Sequence, residues 1–124
     1  RVREIRSRVK DDFIILSGED AQTLDMLKLG ATGTITVTAN VLPRLMAQFC
    51  DAFLTGDEEE AAKLDAELQP IHEILFCEPN PTATKWALRE MGKIDSGIRL
   101  PLVPLTEANH EEVRRRLHAI GALA

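Results

Sequence analysis

Two adjacent carboxylates, Glu19 and Asp20, stand just after the apolar run Phe13-Ile14-Ile15-Leu16 and the step Ser17-Gly18. Carboxylates at a strand end can hold a cation or exchange protons with a substrate. Capping of the helix that follows accounts for Asp20 with no further assumption and is the favoured reading. The three histidines, His72, His110 and His118, are dispersed and lack the HxxxH or HExxH spacing of zinc sites. Gly30-Ala31-Thr32-Gly33 is glycine-rich but precedes a strand-like run, whereas phosphate-cradling loops follow a strand and open a helix. Schiff-base chemistry requires a lysine desolvated at a strand end. Lys10, Lys28, Lys63, Lys85 and Lys93 all fall on helical or loop segments instead. No catalytic residue, metal site or cofactor site is expected within this chain, which alone should be inactive.

The elements that position these residues centre on positions 12–40. Residues 13–16 are apolar and too few for a helix, and they predict a strand buried on both faces. Residues 34–38, nearly all β-branched between Gly33 and Asn40, predict a second strand. Between them Ala21, Leu24 and Leu27 recur at helical spacing over 21–29, with Asp20 as the expected N-cap and Gly30 as the stop. A strand–helix–strand unit of this kind builds parallel sheet, whose strand C-termini carry the chemistry in α/β folds.

Helices dominate the remainder. Val2, Ile5 and Val9 form an apolar stripe on an opening helix whose other faces are basic, and a solvated surface explains those charges better than an anionic docking face. A helix is predicted over 41–54 with Pro43 in its first turn, and another from Asp57, with Glu60 completing a capping box. Pro70 inside that second helix predicts a kink or break. Glu78-Pro79-Asn80-Pro81 is a rigid corner, with Asn80 expected to cap and Pro81 to open the next helix. Trp86 reads as a core or interface anchor. The proline-rich stretch 93–105 should pack against the helices, and a last helix starts near Thr106.

Chain length and 44% hydrophobic content allow one modest core in 124 residues. A net charge of −5 argues against nucleic-acid or membrane-surface partners, and no apolar run approaches the roughly 18 residues of a membrane span. A cytoplasmic protein is the expectation. Cys50 and Cys77, far apart and without CxxC spacing, fit reduced, buried thiols. Two strands cannot form a parallel sheet covered on both faces, and no cap precedes the opening helix, so the chain reads as the tail end of an α/β fold cut from something longer.

Four motifs then occur in order and at characteristic spacing: Leu16-Ser17-Gly18-Glu19-Asp20, Gly33-Thr34-Ile35-Thr36-Val37-Thr38-Ala39-Asn40-Val41, Glu78-Pro79-Asn80-Pro81 and Arg99-Leu100-Pro101-Leu102. Together they resemble the pyruvate-dependent class I aldolase family that includes dihydrodipicolinate synthase and N-acetylneuraminate lyase. The resemblance runs over the whole chain and implies the C-terminal portion of a (β/α)8 TIM barrel, its last two strands near 13–16 and 34–38. Residues 1–56 would be barrel and 57–124 a C-terminal helical region.

The resemblance further implies that pyruvate is held as a Schiff base on a lysine upstream of Arg1. Condensation with L-aspartate 4-semialdehyde would follow, in diaminopimelate and lysine synthesis, by a homotetramer. Ile35 would present its main-chain carbonyl to the pyruvate pocket, Gly18 would admit the keto acid closely, and Glu19 and Asp20 would support the pocket. Glu19 stands where aspartate is usual, Thr36 where serine is common, and Thr82-Ala83-Thr84 replaces a more apolar run. The alternatives are a sibling pyruvate aldolase such as N-acetylneuraminate lyase, or a non-catalytic helical module self-associating through Val2, Ile5, Leu24 and Leu27.

Overall fold

A computed structural model describes residues 1–123. Two parallel strands, β1 (Leu16–Ser17) and β2 (Gly33–Thr34), pair in the register Leu16 to Gly33 and Ser17 to Thr34. The crossover is a 3-10 turn, Asp20–Gln22, followed by helix α2 (Thr23–Lys28). Gly30, at φ +93°, ends it, as its sequence position predicts. A short helix α1 (Val2–Arg6) precedes the sheet. Helices α3 (Pro43–Leu54), α4 (Glu58–Ile74), α5 (Thr82–Glu90) and α6 (Glu107–Ala119) follow it.

Both strands are shorter than the sequence predicts. Residues 13–15 lack a regular ladder, although the Thr32 amide still donates to the Ile15 carbonyl at 2.9 Å. The run is not buried on both faces. Ile15 and Ser17 point into the protein, while Ile14 is 69% exposed and Phe13 and Leu16 are also open, because no element among the described residues covers that side. Beyond Thr34 the second strand ends early: Val37 has helical dihedrals and Thr38–Asn40 is a 3-10 turn. The cause is Asp20, which captures the backbone amides of Val37 and Thr38.

Asp20 therefore does not cap the helix after it, contrary to its sequence position; that turn starts without a side-chain cap. Helix α1 also stops sooner than expected. The Ser7 hydroxyl bonds the Glu4 carbonyl, and the Arg6 guanidinium reaches the carbonyls of Phe13 and Gly30. Asp57 caps α4 by accepting from the Glu60 amide at 3.1 Å, one arm of the capping box; the other does not form, because the Glu60 carboxylate pairs with Lys63 and the Asp57 amide donates to the Ala52 carbonyl. The helix continues through Pro70 to Ile74 rather than breaking. At the proline corner Pro81, not Asn80, is the residue flanking α5, and the Asn80 side chain instead accepts from the Thr84 hydroxyl.

α4 is the spine of the molecule. Its Ala61, Leu64 and Leu68 pack with Ile15, Leu27, Met46 and Phe49, and its Ile71 and Ile74 pack with Trp86, Val113 and Leu117. Trp86 is buried, stacked on His110 at 4.6 Å between ring centroids, with Arg114 over the ring. The 93–105 stretch packs only in part: Leu105 is buried, but Leu100 is 84% exposed and Val103 is open, with nothing among the described residues covering them. Both cysteines are free, and Cys77 is exposed rather than buried, lying past the end of α4. A continuous exposed self-association stripe does not form: Leu27 is 3% exposed inside the core and Val2 and Leu24 are half-buried against it, while Ile5 stays exposed.

Candidate functional site

Gly18, Glu19, Asp20 and Ile35 come together at one end of the two strands, where parallel pairing brings both C-termini to the same edge. The pairing continues past the ladder, with the Ile35 amide donating to the Ser17 carbonyl at 2.8 Å. Ile35 is 72% exposed. Gly18 and Glu19 are also exposed, and a Cβ on Gly18 would meet nothing within 4 Å. Asp20 alone of the four turns inward.

Beneath this open edge lies a buried polar layer. Ser17, Thr23 and Thr38 are fully enclosed. The Ser17 hydroxyl donates to the Glu19 carbonyl at 2.9 Å and accepts from the Glu19 amide at 3.2 Å, closing the turn after β1 on itself. Thr23 Oγ1 lies 3.1 Å from the Glu19 carbonyl and 3.3 Å from Thr34 Oγ1. The Thr34 hydroxyl in turn donates to the Ser17 carbonyl at 3.3 Å. These hydroxyls tie α2 to both strand ends, and buried hydroxyls are tolerated because each finds a partner.

Asp20 makes the longest-range connection. Its Oδ2 accepts from the Val37 amide at 3.0 Å and the Thr38 amide at 2.8 Å, so a carboxylate from the β1 exit serves as cap to the turn after β2. Charge-assisted bonds of this type are stronger than neutral ones. From α4, His72 enters the same layer at 2% exposure, with Nδ1 2.8 Å from Thr38 Oγ1 and 4.0 Å from Asp20 Oδ2. Burial lowers the His72 pKa from its ordinary 6.5, opposed by the nearby charges of Asp20, Asp65 and Glu19. The ring is neutral at physiological pH, and its approach to Asp20 is not an ion pair there.

Chemically, the arrangement is a scaffold with an open face. The buried groups fix two backbone turns, and the open face offers main-chain atoms, a glycine gap and the Glu19 carboxylate. Among the described residues no lysine lies at the open edge: Lys63 pairs with Glu60 on α4, Lys10 lies in the segment that leads into the start of β1, and Lys28, Lys85 and Lys93 sit on or after helices. Among the described residues no group of three or more His, Cys, Asp or Glu could hold a metal, and no helix is long and apolar enough to cross a membrane. Sequence reasoning missed the roles of Thr38 and His72. A signal was present for His72, which interrupts the otherwise apolar stripe of Leu68, Ile71 and Leu75, but none for Thr38.

Parallel strands joined by a helical crossover, with polar turns gathered at their C-terminal edge and helices behind, define an α/β unit of the kind that builds parallel sheets. Residues 1–120 match the model of the dihydrodipicolinate synthetase family, and the chain belongs to that family. It is 52% identical over 123 residues to the 4-hydroxy-tetrahydrodipicolinate synthase of Alcanivorax borkumensis, covering 99% of this chain and 42% of that relative. The Pseudomonas aeruginosa enzyme of the same name is 45% identical over 124 residues, again with 42% of its length covered. Among solved structures, the chloride-inhibited dihydrodipicolinate synthase of Acinetobacter baumannii, complexed with pyruvate, superposes with a TM-score of 0.94 at 41% identity. The superposition covers 99% of this chain and 42% of that one. The Thermotoga maritima dihydrodipicolinate synthase gives 0.94 at 35% identity, covering 98% and 42%. The chain thus spans less than half the length of the relatives it matches.

Proposed function

We propose that this chain is the C-terminal segment of a synthase that condenses pyruvate with L-aspartate 4-semialdehyde in diaminopimelate and lysine synthesis. On this reading β1 and β2 belong to the seventh and eighth strands of a (β/α)8 barrel, residues 1–56 complete the barrel, and 57–124 form a C-terminal helical region. A lysine ε-amine upstream of Arg1 attacks the pyruvate carbonyl carbon and water leaves, giving an iminium. Loss of a methyl proton makes that methyl carbon the nucleophile toward the aldehyde. The enzyme works in the cytoplasm as a homotetramer and needs no cofactor.

The observation that carries the reading is the shared open edge of Gly18 and Ile35, in a chain so similar to enzymes of this name. Gly18 leaves room for the keto acid, the Ile35 backbone borders it, and Glu19 and Asp20 support the pocket. The test is a chimera in which the upstream part of the Alcanivorax borkumensis relative precedes Arg1. Treated with pyruvate and borohydride, the chimera should gain one pyruvyl adduct by intact mass, and the 124-residue chain alone should gain none. An adduct on the isolated chain would place the nucleophile here and overturn the reading, as would a chimera that turns over a sugar aldehyde and not the semialdehyde.

A further inference from the structure

We propose that His72 is a positioning residue for the keto-acid pocket, fixing through Thr38 the backbone that carries Ile35. The inference rests on the reading above, that Ile35 borders bound pyruvate, and extends it to a residue of the C-terminal helical region.

The segment from Ile35 to Thr38 is held at its two ends. Ile35 is tied to β1 by the bond from its amide to the Ser17 carbonyl, 2.8 Å long. Its side chain, open to the outside, contributes no anchoring in this chain. The other end is Thr38, whose amide is on Asp20 and whose hydroxyl is 2.8 Å from His72 Nδ1. Thr38 is fully enclosed and His72 is nearly so, which makes this a water-excluded contact. Leu68 and Ile71 on α4 and Leu75 at its C-terminal cap flank His72 and are themselves fully buried, so the imidazole is delivered from a rigid mount. Burying an imidazole costs desolvation that a leucine on the same stripe would not incur. Its hydrogen bond to Thr38 is what the polar residue adds. Displacing that bond frees the β2 exit turn on the side facing α4, and the Ile35 backbone moves with it.

The test uses the chimera. Asparagine places a polar atom near the Nδ1 position and glutamine near Nε2, while leucine keeps the volume alone. With His72→Leu, His72→Gln and Thr38→Val, the pyruvate KM should rise about tenfold, the loss expected for one buried hydrogen bond. His72→Asn should restore it to within about threefold, and the KM for the semialdehyde should stay put. The double variant His72→Leu/Thr38→Val should be no worse than either single one, because both remove the same bond. Partial misfolding lowers kcat but leaves KM alone, so a merely structural role predicts an unchanged pyruvate KM, and that result overturns the proposal.

Hydrogen–deuterium exchange over residues 35–41 reads positioning without turnover. It should quicken about tenfold in His72→Leu and not in His72→Asn, and equal exchange in both would overturn the proposal even if the chimera proved inactive. An inactive parent chimera with the expected exchange pattern would count against the assigned reaction, not against the role of His72.

Discussion

The Asp20 carboxylate and the Thr38 amide meet 2.8 Å apart, joining the exits of two parallel strands across 18 residues of sequence. The neighbouring Val37 amide shares the same oxygen at 3.0 Å. A helix cap is usually local; here it comes from another strand end. The geometry explains why β2 stops at Thr34 and why the chain then turns instead of extending.

Replacing Asp20 should be costly. Asp20→Ala leaves the buried Thr38 amide and the half-buried Val37 amide without their acceptor, which is expected to destabilise the chain by about 3 kcal/mol. Asp20→Asn keeps one neutral acceptor and should cost about half of that. Urea unfolding midpoints at neutral pH measure both, and equal midpoints for Asp20→Ala and the parent would show that the bonds contribute nothing.

His72 should make stability fall on mild acidification. Its folded pKa lies below the ordinary 6.5, so below that pH the unfolded chain binds a proton that the folded chain resists. The ring's contribution is fully present above pH 6.5 and is lost as pH falls toward its folded value. Titrating the unfolding free energy from pH 7.5 to 5 in the parent and in His72→Asn should give a shallower slope in the variant. Parallel slopes would mean that the imidazole does not resist protonation.

Local signals were legible in the sequence where the partner sits nearby in the chain. Asp57 and Glu60 are three residues apart, and the cap forms. Gly30 marks the helix end because its left-handed φ is needed there. Apolar spacing located α3, α4 and α6, and the proline corner located α5. Asp20 misled because its type suits a local cap, while its true partners lie 17 and 18 residues away and are set by strand pairing. His72 and Thr38 are 34 residues apart, so no periodicity links them. The strand lengths were overestimated for a related reason. Residues 13–16 have the composition of a doubly buried strand, yet Ile14 and Leu16 find no covering layer among the described residues.

Two glycines should respond oppositely to alanine. Gly30 has φ +93° and an added Cβ would lie 3.3 Å from Arg6 Nε, so Gly30→Ala should destabilise by more than about 1 kcal/mol. Gly18 is not in the left-handed region and has open space around it, so Gly18→Ala should change stability by less than about 0.5 kcal/mol. In the chimera the same Gly18→Ala change should raise the pyruvate KM, since the new methyl fills the space assigned to the keto acid. A stable Gly18→Ala chimera with unaltered pyruvate KM would remove Gly18 from the pocket.

Glu78 ties the proline corner to the start of α6. Its Oε1 accepts from the Thr106 amide at 3.0 Å and the Asn109 side-chain amide at 2.7 Å. These bonds hold its carboxyl below the usual 4.5, with the Thr106 contact the leading cause. A depressed carboxyl stabilises above its unfolded pKa, so the tie is present at neutral pH and is lost as pH falls below 4.5. Glu78→Ala should cost about 1 kcal/mol, the ordinary worth of a lost cap. The sole tryptophan reports it, because Trp86 packs on His110 and Arg114 of the same helix. Acid titration followed by Trp86 fluorescence should show a transition below pH 4.5 in the parent that is already partly complete at neutral pH in Glu78→Ala. Superimposable titrations would show that α6 docks on Trp86 without help from Glu78.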